Sequence, residues 1–419
     1  MVIKYILEEI NVKLNIKEIN GLFVFVLFST MFVFWSLGIV WLLALFSIGL
    51  MFNFSKSKIL FNQPYHIHLL PILLVTIFCL LMTNMLIRDG FNIDRFGLAL
   101  GILFSSAIYY NILVYGISSK WVQLGILLAG IVGGLAGLYQ YVELGIPRPG
   151  TLYSAMVFGI MGSLLIVVLG INLITHFKTH TWIQLIAVLF AFLLSISILV
   201  VSQSRSGYLF LATYVGFAFI YNKAWQYKLV NIGLIIVMLL SLSALYLAKD
   251  TSLVKRFNRG IDTSIAYMQG NTKVKSSTTV RFEMWMAGFE AFKLHPILGL
   301  GNVKIVSEMS QIRDNNQYYK SVTGEGHLHS DYFDSLARYG LVGFICYLLI
   351  YGIALRVIHR SQLLSLPERM GAFSLVIGFL VFGLTTTNYS YILTQIFIFI
   401  GIPMLVAWIK HLEMESETS

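Results

Sequence analysis

Residues 181–201 read TWIQLIAVLFAFLLSISILVV, a run without one charged side chain. An α-helix needs about 20 apolar residues to cross the roughly 30 Å hydrocarbon core of a bilayer, so this run predicts a transmembrane helix. The whole chain has the same character, since 58% of its 419 residues are hydrophobic and only 11% are charged. Soluble domains carry roughly a quarter charged residues. The composition therefore predicts an integral membrane protein.

About a dozen such runs follow one another along the chain. They are continuous and rich in Leu and Ile, whereas a membrane barrel needs short strands of alternating polarity, so the runs predict helices. The expected fold class is an all-α polytopic integral membrane protein with about 12 transmembrane helices. Small-residue pairs such as Gly130 and Gly134 predict close helix packing. The expected spans are 21–36, 38–52, 69–87, 96–116, 121–142, 153–175, 181–201, 207–221, 229–247, 334–356, 371–386 and 388–409.

Five segments make up the expected layout. An amphipathic cytoplasmic segment at 1–20 has apolar residues at helical spacing. Transmembrane helices 1–9 occupy 21–247, one large loop occupies 248–333, and transmembrane helices 10–12 occupy 334–409. A short cytoplasmic tail is expected at 410–419, and its part rich in Glu and Ser, 413–419, is expected to fray.

Lysine and arginine residues determine the expected orientation. With the N-terminus in the cytoplasm, the inside segments carry 13 Lys and Arg and the short outside loops carry 4. Cytoplasmic loops are enriched in these residues, and long loops are exempt from the bias. Both termini are therefore expected in the cytoplasm and the long loop on the outer face. The same bias accounts for most of the net charge of +10, and nucleic acid is not an expected partner because no basic cluster coincides with a soluble domain.

One extended polar stretch, residues 249–331, interrupts the apolar pattern and ends in GHLHS at 326–330. Chemistry on water-soluble groups needs side chains that reach water, so this stretch is the expected place for a reaction. The two cysteines, Cys79 and Cys346, lie inside apolar runs. Neither a disulfide framework nor a cysteine metal site is therefore expected.

Three arginines lie on the expected outer face. Arg205 sits in a short polar connection, Arg148 in a rigid Pro-Arg-Pro-Gly turn, and Arg281 at the start of an aromatic-rich helix expected at 281–294. Each alone fits a side chain that extends from a helix end to water. The 281–294 helix is expected to lie along the membrane surface or to pack over the bundle, and its aromatic stripe fits packing better than a ligand site. Arginine stays charged and binds phosphate through two parallel hydrogen bonds, so three on one face favour a phosphate or diphosphate ligand. A cation is unfavourable at the positive end of a helix dipole, and an anion beside Arg281 would remove that conflict.

Two histidines, His327 and His329, stand immediately before the tenth expected span. In a helix the two imidazoles would point roughly 200° apart and could not both face one ligand. A His-x-His metal site would need extended backbone and further ligands, for which Glu325 and Asp331 are available. A hydrogen-bonded cap at the membrane boundary is the structural alternative. Because imidazole exchanges protons near neutral pH, one histidine acting as a general base is the preferred hypothesis.

Several short motifs resemble those of bacterial O-antigen ligases. Residues 329–342, HSDYFDSLARYGLV, are similar to that family's signature of His, then Asn, Ser or Gln, nine residues, Gly, one residue and Leu or Val. Residues 205–209, RSGYL, are similar to its Arg-x3-Leu motif. The Arg281 helix with the glycines after it, and more loosely the Arg148 turn, resemble segments of the wider polymerase and ligase superfamily. The order of the expected spans and the position of the large loop resemble that family over nearly the whole chain.

The resemblance implies a GT-C-like glycosyltransferase with a polyprenyl-linked donor. O-antigen on undecaprenyl diphosphate would be transferred to a sugar hydroxyl of lipid A-core at the periplasmic face of the bacterial inner membrane. It implies His329 as the catalytic base, with His327 a candidate for a supporting role. Arg205 and Arg281, with Arg148, would bind the diphosphate and stabilise its charge as it leaves. No cofactor and no metal ion are implied, and direct displacement would invert the anomeric carbon.

Two enzymes of the same superfamily remain alternatives. An O-antigen polymerase uses the same donor but extends another lipid-linked glycan, and a protein O-oligosaccharyltransferase has a Ser or Thr acceptor. A membrane transporter is the alternative from another class. The interiors of the expected spans are almost free of charge and the polar groups concentrate at one face, which favours interfacial chemistry over transport.

Overall fold

Helices form nearly all of the regular structure in the described part of the chain. The computed structural model describes residues 16–32, 64–176, 179–221, 252–271, 276–302, 327–388 and 391–418, together with 305, 308 and 311. Helices α1–α7 are Ile16–Thr30, Tyr65–Asn84, Ile93–Tyr115, Ser119–Val142, Ala155–His176, Trp182–Ser202 and Arg205–Tyr221. Helices α8–α13 are Ser252–Met268, Ser277–Leu294, Asp331–Arg360, Leu366–Gly383, Ile392–Ile396 and Ile402–Thr418. A π-helical turn at Met85–Asp89 extends α2, and another at Phe397–Gly401 joins α12 to α13.

Eight helical segments within the described ranges are long and apolar enough to cross a membrane. They are α2–α6, α10, α11 and the continuous α12–α13 unit. The predicted all-helical, polytopic architecture is therefore confirmed for the part of the chain that the structure describes, in which no strand occurs. The expected spans 38–52 and 229–247, and residues 1–15 of the amphipathic segment, lie outside the described residues. The number of twelve spans stays a prediction.

Contacts between turns define one end of the bundle, the tail end. Lys17 pairs with Glu415 at 3.3 Å, and the Asn20 side chain donates to the Gly116 carbonyl at 2.9 Å. These contacts join the start of α1, the α3–α4 turn and the end of α13. The expectation of a frayed tail is wrong, since α13 continues through it, and Glu415 contacts both Lys17 and His411 there.

The opposite end, the arginine end, contains the turns between α2 and α3, α4 and α5, and α6 and α7. The start of α10 and the end of α11 lie there too. The Tyr153 hydroxyl donates to the Met31 carbonyl at 2.7 Å, and the Ser206 and Thr385 hydroxyls lie 3.2 Å apart. Because successive helices alternate in direction, the residues predicted for the site fall at this end.

Small residues bring α4 close to α6, as the Gly130 and Gly134 spacing predicts. A Cβ on Gly134 would lie 2.5 Å from the Cβ of Leu194, and one on Gly130 would lie 2.9 Å from the Ser195 hydroxyl. Larger side chains at either position would separate the two helices.

Several helix bounds differ from the expected spans. Helix α11 begins at Leu366 rather than 371, because Ser365 caps it and the Glu368 carboxylate accepts from the Ser365 amide at 2.8 Å. Helix α10 extends from Asp331 to Arg360 and is interrupted at Gly340. Charged residues at both ends of α10 made the apolar run appear shorter than the helix.

Two helices, α8 and α9, occupy part of the polar stretch. The Thr263 hydroxyl of α8 donates to the Ser276 hydroxyl at 2.9 Å, and Ser276 caps α9. This cap explains why α9 begins at Ser277, four residues before the expected start. Helix α9 packs on α10, where the rings of Trp285 and Phe333 stack with centroids 5.5 Å apart.

Candidate functional site

The two predicted histidines lie directly before α10 and face each other. Their ring centroids are 4.3 Å apart, and the ring planes are inclined at 47°. Helix α10 begins after both residues, and His329 has a left-handed backbone with a φ of 51°. The expectation that His327 and His329 diverge, which assumed a helical backbone, is therefore wrong. The two imidazoles form one unit, the histidine pair.

Leu328, between the two histidines, anchors the pair. Its side chain is buried against α9, so closely that a Cβ on Gly288 would collide with it. Its amide donates to the Asp334 carboxylate at 2.8 Å. A left-handed conformation at a residue other than glycine is unfavourable and persists only where the surroundings fix it. The burial of Leu328 and the start of α10 fix it at His329.

Asp331 ties the start of α10, next to the histidine pair, to the later part of α10 and to the segment that follows α11. Its carboxylate is fully buried and accepts hydrogen bonds from the Tyr347 hydroxyl at 2.5 Å and the Asn388 amide at 2.7 Å. The Asn388 side chain donates to the same carboxylate. A buried carboxylate is costly unless it is hydrogen-bonded in this way. Asp331, considered above as a metal ligand, therefore uses both oxygens to position the start of α10; Glu325 lies outside the described residues.

A buried ion pair continues this network along α10. Asp334 and Arg338 lie 2.7 Å apart, with side chains that are 0% and 6% exposed. Arg338 also donates to the Asn302 side chain at 3.0 Å, and the Asn302 amide donates to Asp89 at 2.8 Å. The carboxylate that holds the Leu328 amide is thus linked to the turn between α2 and α3.

The glycine of the predicted signature, Gly340, is the point at which α10 is interrupted. Its φ of 63° and ψ of −163° are not helical. The interruption exposes backbone groups of α10 to the segment 296–301, which follows α9. Four backbone hydrogen bonds attach this segment: Leu300 to Ala337 at 2.9 Å, Gly301 to Arg338 at 2.9 Å, Leu341 to Pro296 at 2.8 Å, and Val342 to Ile297 at 3.2 Å.

Arg148 lies against the turn that precedes Arg205. Its Nε donates to the Ser202 carbonyl at 3.4 Å. The Gln203 side chain donates to the Pro147 carbonyl at 3.3 Å. The α4–α5 turn and the α6–α7 turn therefore pack on each other, and Arg205 is the first residue of α7.

Arg205 lies near α8 and near the face of α9 that carries Arg281. Arg205 Nη1 lies 3.1 Å from the position that a Cβ on Gly260 would take, and the Thr278 hydroxyl lies 3.7 Å from the same position. Thr278 and Arg281 are three residues apart on α9, so they share a face of the helix. Arg281 is half-buried and is the fifth helical residue, not the first. The expected conflict between Arg281 and the helix dipole is therefore absent, because that effect is confined to the first turn.

A short chain of contacts links the arginines to the histidine pair. Ser206, next to Arg205, contacts Thr385 after α11 at 3.2 Å. Three residues later Asn388 binds Asp331, two residues after His329. The structure thus places the predicted residues on adjoining elements of the arginine end.

The sequence patterns predicted no role for Asn388 or Tyr347, which both bind Asp331. Asn388 belongs to the run Thr385-Thr386-Thr387-Asn388, which the expected spans divided between two helices. A polar cluster inside an apolar segment is a signal of buried contacts or function, and it could have identified this position. Tyr347 carries no such signal.

The arrangement offers two kinds of chemistry. The exposed Arg205 and the half-buried Arg281 supply fixed positive charge, which suits an anionic group such as a phosphate. The histidine pair is half-exposed and can take up a proton from a hydroxyl. These are the parts that a transfer from a phosphate leaving group requires.

Comparisons with known proteins gave one family match and a relative of similar sequence. Residues 190–348 match the family model described as O-Antigen ligase. The matched segment contains Arg205, Arg281, the histidine pair and Gly340, whereas Arg148 lies before it. An uncharacterized protein of Haemophilus influenzae is 26% identical over 239 residues, which span 56% of this chain and 59% of that protein. The matched family implies a glycosyltransferase-like activity of the ligase or polymerase type. The match over 190–348, which is less than half of the chain, supports membership of the O-antigen ligase superfamily.

Proposed function

We propose that this protein is an O-antigen ligase. It transfers O-antigen from undecaprenyl diphosphate to a sugar hydroxyl of lipid A-core. The observation that carries the proposal is the family match over 190–348, because the matched segment contains both the arginines and the histidine pair at one end of a membrane bundle.

The histidine pair activates the acceptor. His329 removes the proton from the acceptor hydroxyl as its oxygen bonds to the anomeric carbon of the donor sugar. The bond between that carbon and the diphosphate oxygen breaks at the same time, and undecaprenyl diphosphate leaves with the electron pair. His327, 4.3 Å from His329 between ring centroids, supports the orientation of the base. One displacement of this kind inverts the anomeric centre.

The arginines act on the leaving group. Arg205 and Arg281 bind the diphosphate and stabilise the charge that develops on it, and Arg148 supports the Arg205 turn. Guanidinium groups held by the fold are effective because they need no reorganisation during the reaction. This arrangement requires neither ATP nor a divalent metal ion.

The arginine end faces the periplasm in this proposal. The inside segments hold 13 Lys and Arg against 4 in the short outside loops, which supports cytoplasmic termini. Both substrates are anchored in lipid, so a site at the end of the bundle meets both at the membrane surface.

Complementation of a strain that lacks its own O-antigen ligase tests the function. Wild type restores a ladder of high-molecular-weight lipopolysaccharide, whereas His329→Ala and Arg205→Ala do not, at equal protein levels in the membrane. His66→Ala and Arg360→Ala remove exposed side chains at the tail end and serve as matched controls that keep the ladder.

The same strain separates the alternatives. Longer glycan on undecaprenyl diphosphate without a ladder would identify a polymerase, and glycan on protein would identify an O-oligosaccharyltransferase. A ladder that survives His329→Ala would exclude this residue as the base.

A further inference from the structure

Helix α8 exposes an apolar face, whereas the polar Thr263 lies on the side that packs on the protein. Ile261, Ile265 and Met268 are 45%, 49% and 77% exposed. Their spacing of four and three residues puts them on one face of the helix. A helix that packs on a protein in water normally does the reverse and buries its apolar face. The exposed face of α8 therefore needs an apolar environment.

The opposite face of α8 points into the protein. Thr263 is buried, and its hydroxyl donates to Ser276 at the start of α9. Gly260 leaves room for the Arg205 guanidinium, which approaches within 3.1 Å of where a Cβ would be. The side of α8 that carries Gly260 and Thr263 thus borders Arg205, and the exposed apolar face cannot turn inward without breaking these contacts.

Helix α9 extends the same apolar surface. The rings of Tyr267 in α8 and Phe282 in α9 are 6.1 Å apart, which places the two helices side by side. Met286 and Phe289, four and seven residues after Phe282, are 50% and 44% exposed. The aromatic stripe of α9, which was expected to pack, therefore packs in part, through Trp285, and is exposed in part.

The apolar surface continues onto a membrane-spanning helix. Ile297 and Leu298, just after α9, are 68% and 41% exposed. Hydrogen bonds from Leu341 and Val342 attach this segment to α10. Leu341 is 48% exposed and Ile345 is 46% exposed, on a helix long and apolar enough to cross the bilayer. The surface is thus continuous with the lipid-facing wall of the bundle.

We propose that α8 and α9 lie in the boundary between headgroups and acyl chains at the arginine end of the bundle, with Ile261, Ile265, Met268, Met286 and Phe289 in contact with phospholipid chains. Amphipathic helices bind membranes in this orientation, parallel to the surface. The lipid contact does not depend on the proposed function. If that function holds, the arrangement lets a lipid-anchored diphosphate reach Arg205 beside α8 without leaving the membrane surface.

Site-specific quenching tests the contact on the full-length protein in lipid nanodiscs. Cys79 and Cys346 are replaced by alanine, and single cysteines are introduced as Ile265→Cys, Met268→Cys and, as the matched control, Asp262→Cys on the exposed polar side of α8. A small environment-sensitive fluorophore is attached to each. Quenching is measured with lipids that carry a spin label on the acyl chain and with aqueous iodide.

The proposal predicts a ratio of lipid quenching to iodide quenching several-fold higher at positions 265 and 268 than at 262. Two sites on the face keep the test valid if one variant fails to fold. Iodide quenching at 265 and 268 as strong as at 262 would show that the face lies in water. Protection from both quenchers would show that protein covers it. Either result overturns the proposal, and neither bears on glycan transfer.

Discussion

The substitution Gly340→Ala removes the conformational freedom on which the interruption of α10 depends. With a φ of 63° and a ψ of −163°, Gly340 occupies a backbone region that is essentially restricted to glycine. An added Cβ would lie 2.6 Å from the Gly299 nitrogen and closer still to the Ile297 carbonyl. The alanine variant therefore cannot keep segment 296–301 docked on α10.

The size of the effect follows from the contacts that are lost. Backbone strain at such a position costs on the order of 1–3 kcal/mol. Each hydrogen bond contributes about 0.5–1.5 kcal/mol, so undocking the four that hold 296–301 costs roughly 2–6 kcal/mol. Even a loss of about 2 kcal/mol changes an opening equilibrium by roughly 30-fold. The protection of the Leu300, Gly301, Leu341 and Val342 amides from hydrogen exchange is expected to fall by at least that factor.

Hydrogen–deuterium exchange measured by mass spectrometry in nanodiscs checks this expectation. Gly352→Ala is the matched control, because Gly352 lies in the same helix with nothing within 4 Å of an added Cβ. This control is expected to keep the protection and to stabilise the helix by about 0.5–1 kcal/mol. Glycan transfer should fall in Gly340→Ala alone, since the docked segment supports the start of α10 through Asn302 and Arg338. Unchanged protection in Gly340→Ala would refute the role assigned to this glycine.

Three further substitutions test the contacts of the site. Asp331→Ala leaves buried hydrogen-bond donors without an acceptor, at about 1–3 kcal/mol for each, and thermal unfolding in detergent should show the loss. Arg338→Ala removes the ion-pair partner of the buried Asp334 and should cost about 3–5 kcal/mol. Lys410→Ala removes a more exposed ion pair and should cost about 1 kcal/mol or less. Equal unfolding temperatures for these two variants would contradict the assignment. Arg205→Lys keeps the positive charge but loses the guanidinium that can form two parallel hydrogen bonds to a phosphate, so kcat should fall by about 10-fold or more. An unchanged kcat would show that diphosphate binding by this guanidinium is unimportant.

Composition was enough to predict the membrane-spanning helices. The expected span 69–87 lies within the helical segment Tyr65–Asp89, and 121–142 differs from Ser119–Val142 by two residues. A helix in lipid must be apolar over about 20 residues, so the sequence carries this constraint directly. The start of α9 was missed because it depends on the Ser276 cap, which is a local hydrogen-bond pattern rather than a hydropathy signal.

The geometry of the histidine pair could not be predicted from its spacing. It depends on the left-handed backbone of His329, which is fixed by the burial of Leu328 against Gly288, about forty residues earlier in the chain. The residue types in the sequence therefore identified the two histidines as candidates, whereas tertiary contacts determine how their rings are oriented toward each other. The same holds for Asp331, whose partners are Tyr347, beyond the interruption of α10 at Gly340, and Asn388, after α11.

Glycan transfer by the purified protein tests the central proposal most directly. The protein in nanodiscs is mixed with undecaprenyl-diphosphate-linked glycan and lipid A-core, and both products are quantified by mass spectrometry. The proposed mechanism predicts glycan on lipid A-core together with an equal amount of undecaprenyl diphosphate, and loss of both in His329→Ala at an unchanged unfolding temperature. Release of undecaprenyl diphosphate without glycan on lipid A-core, or full transfer by His329→Ala, would contradict it.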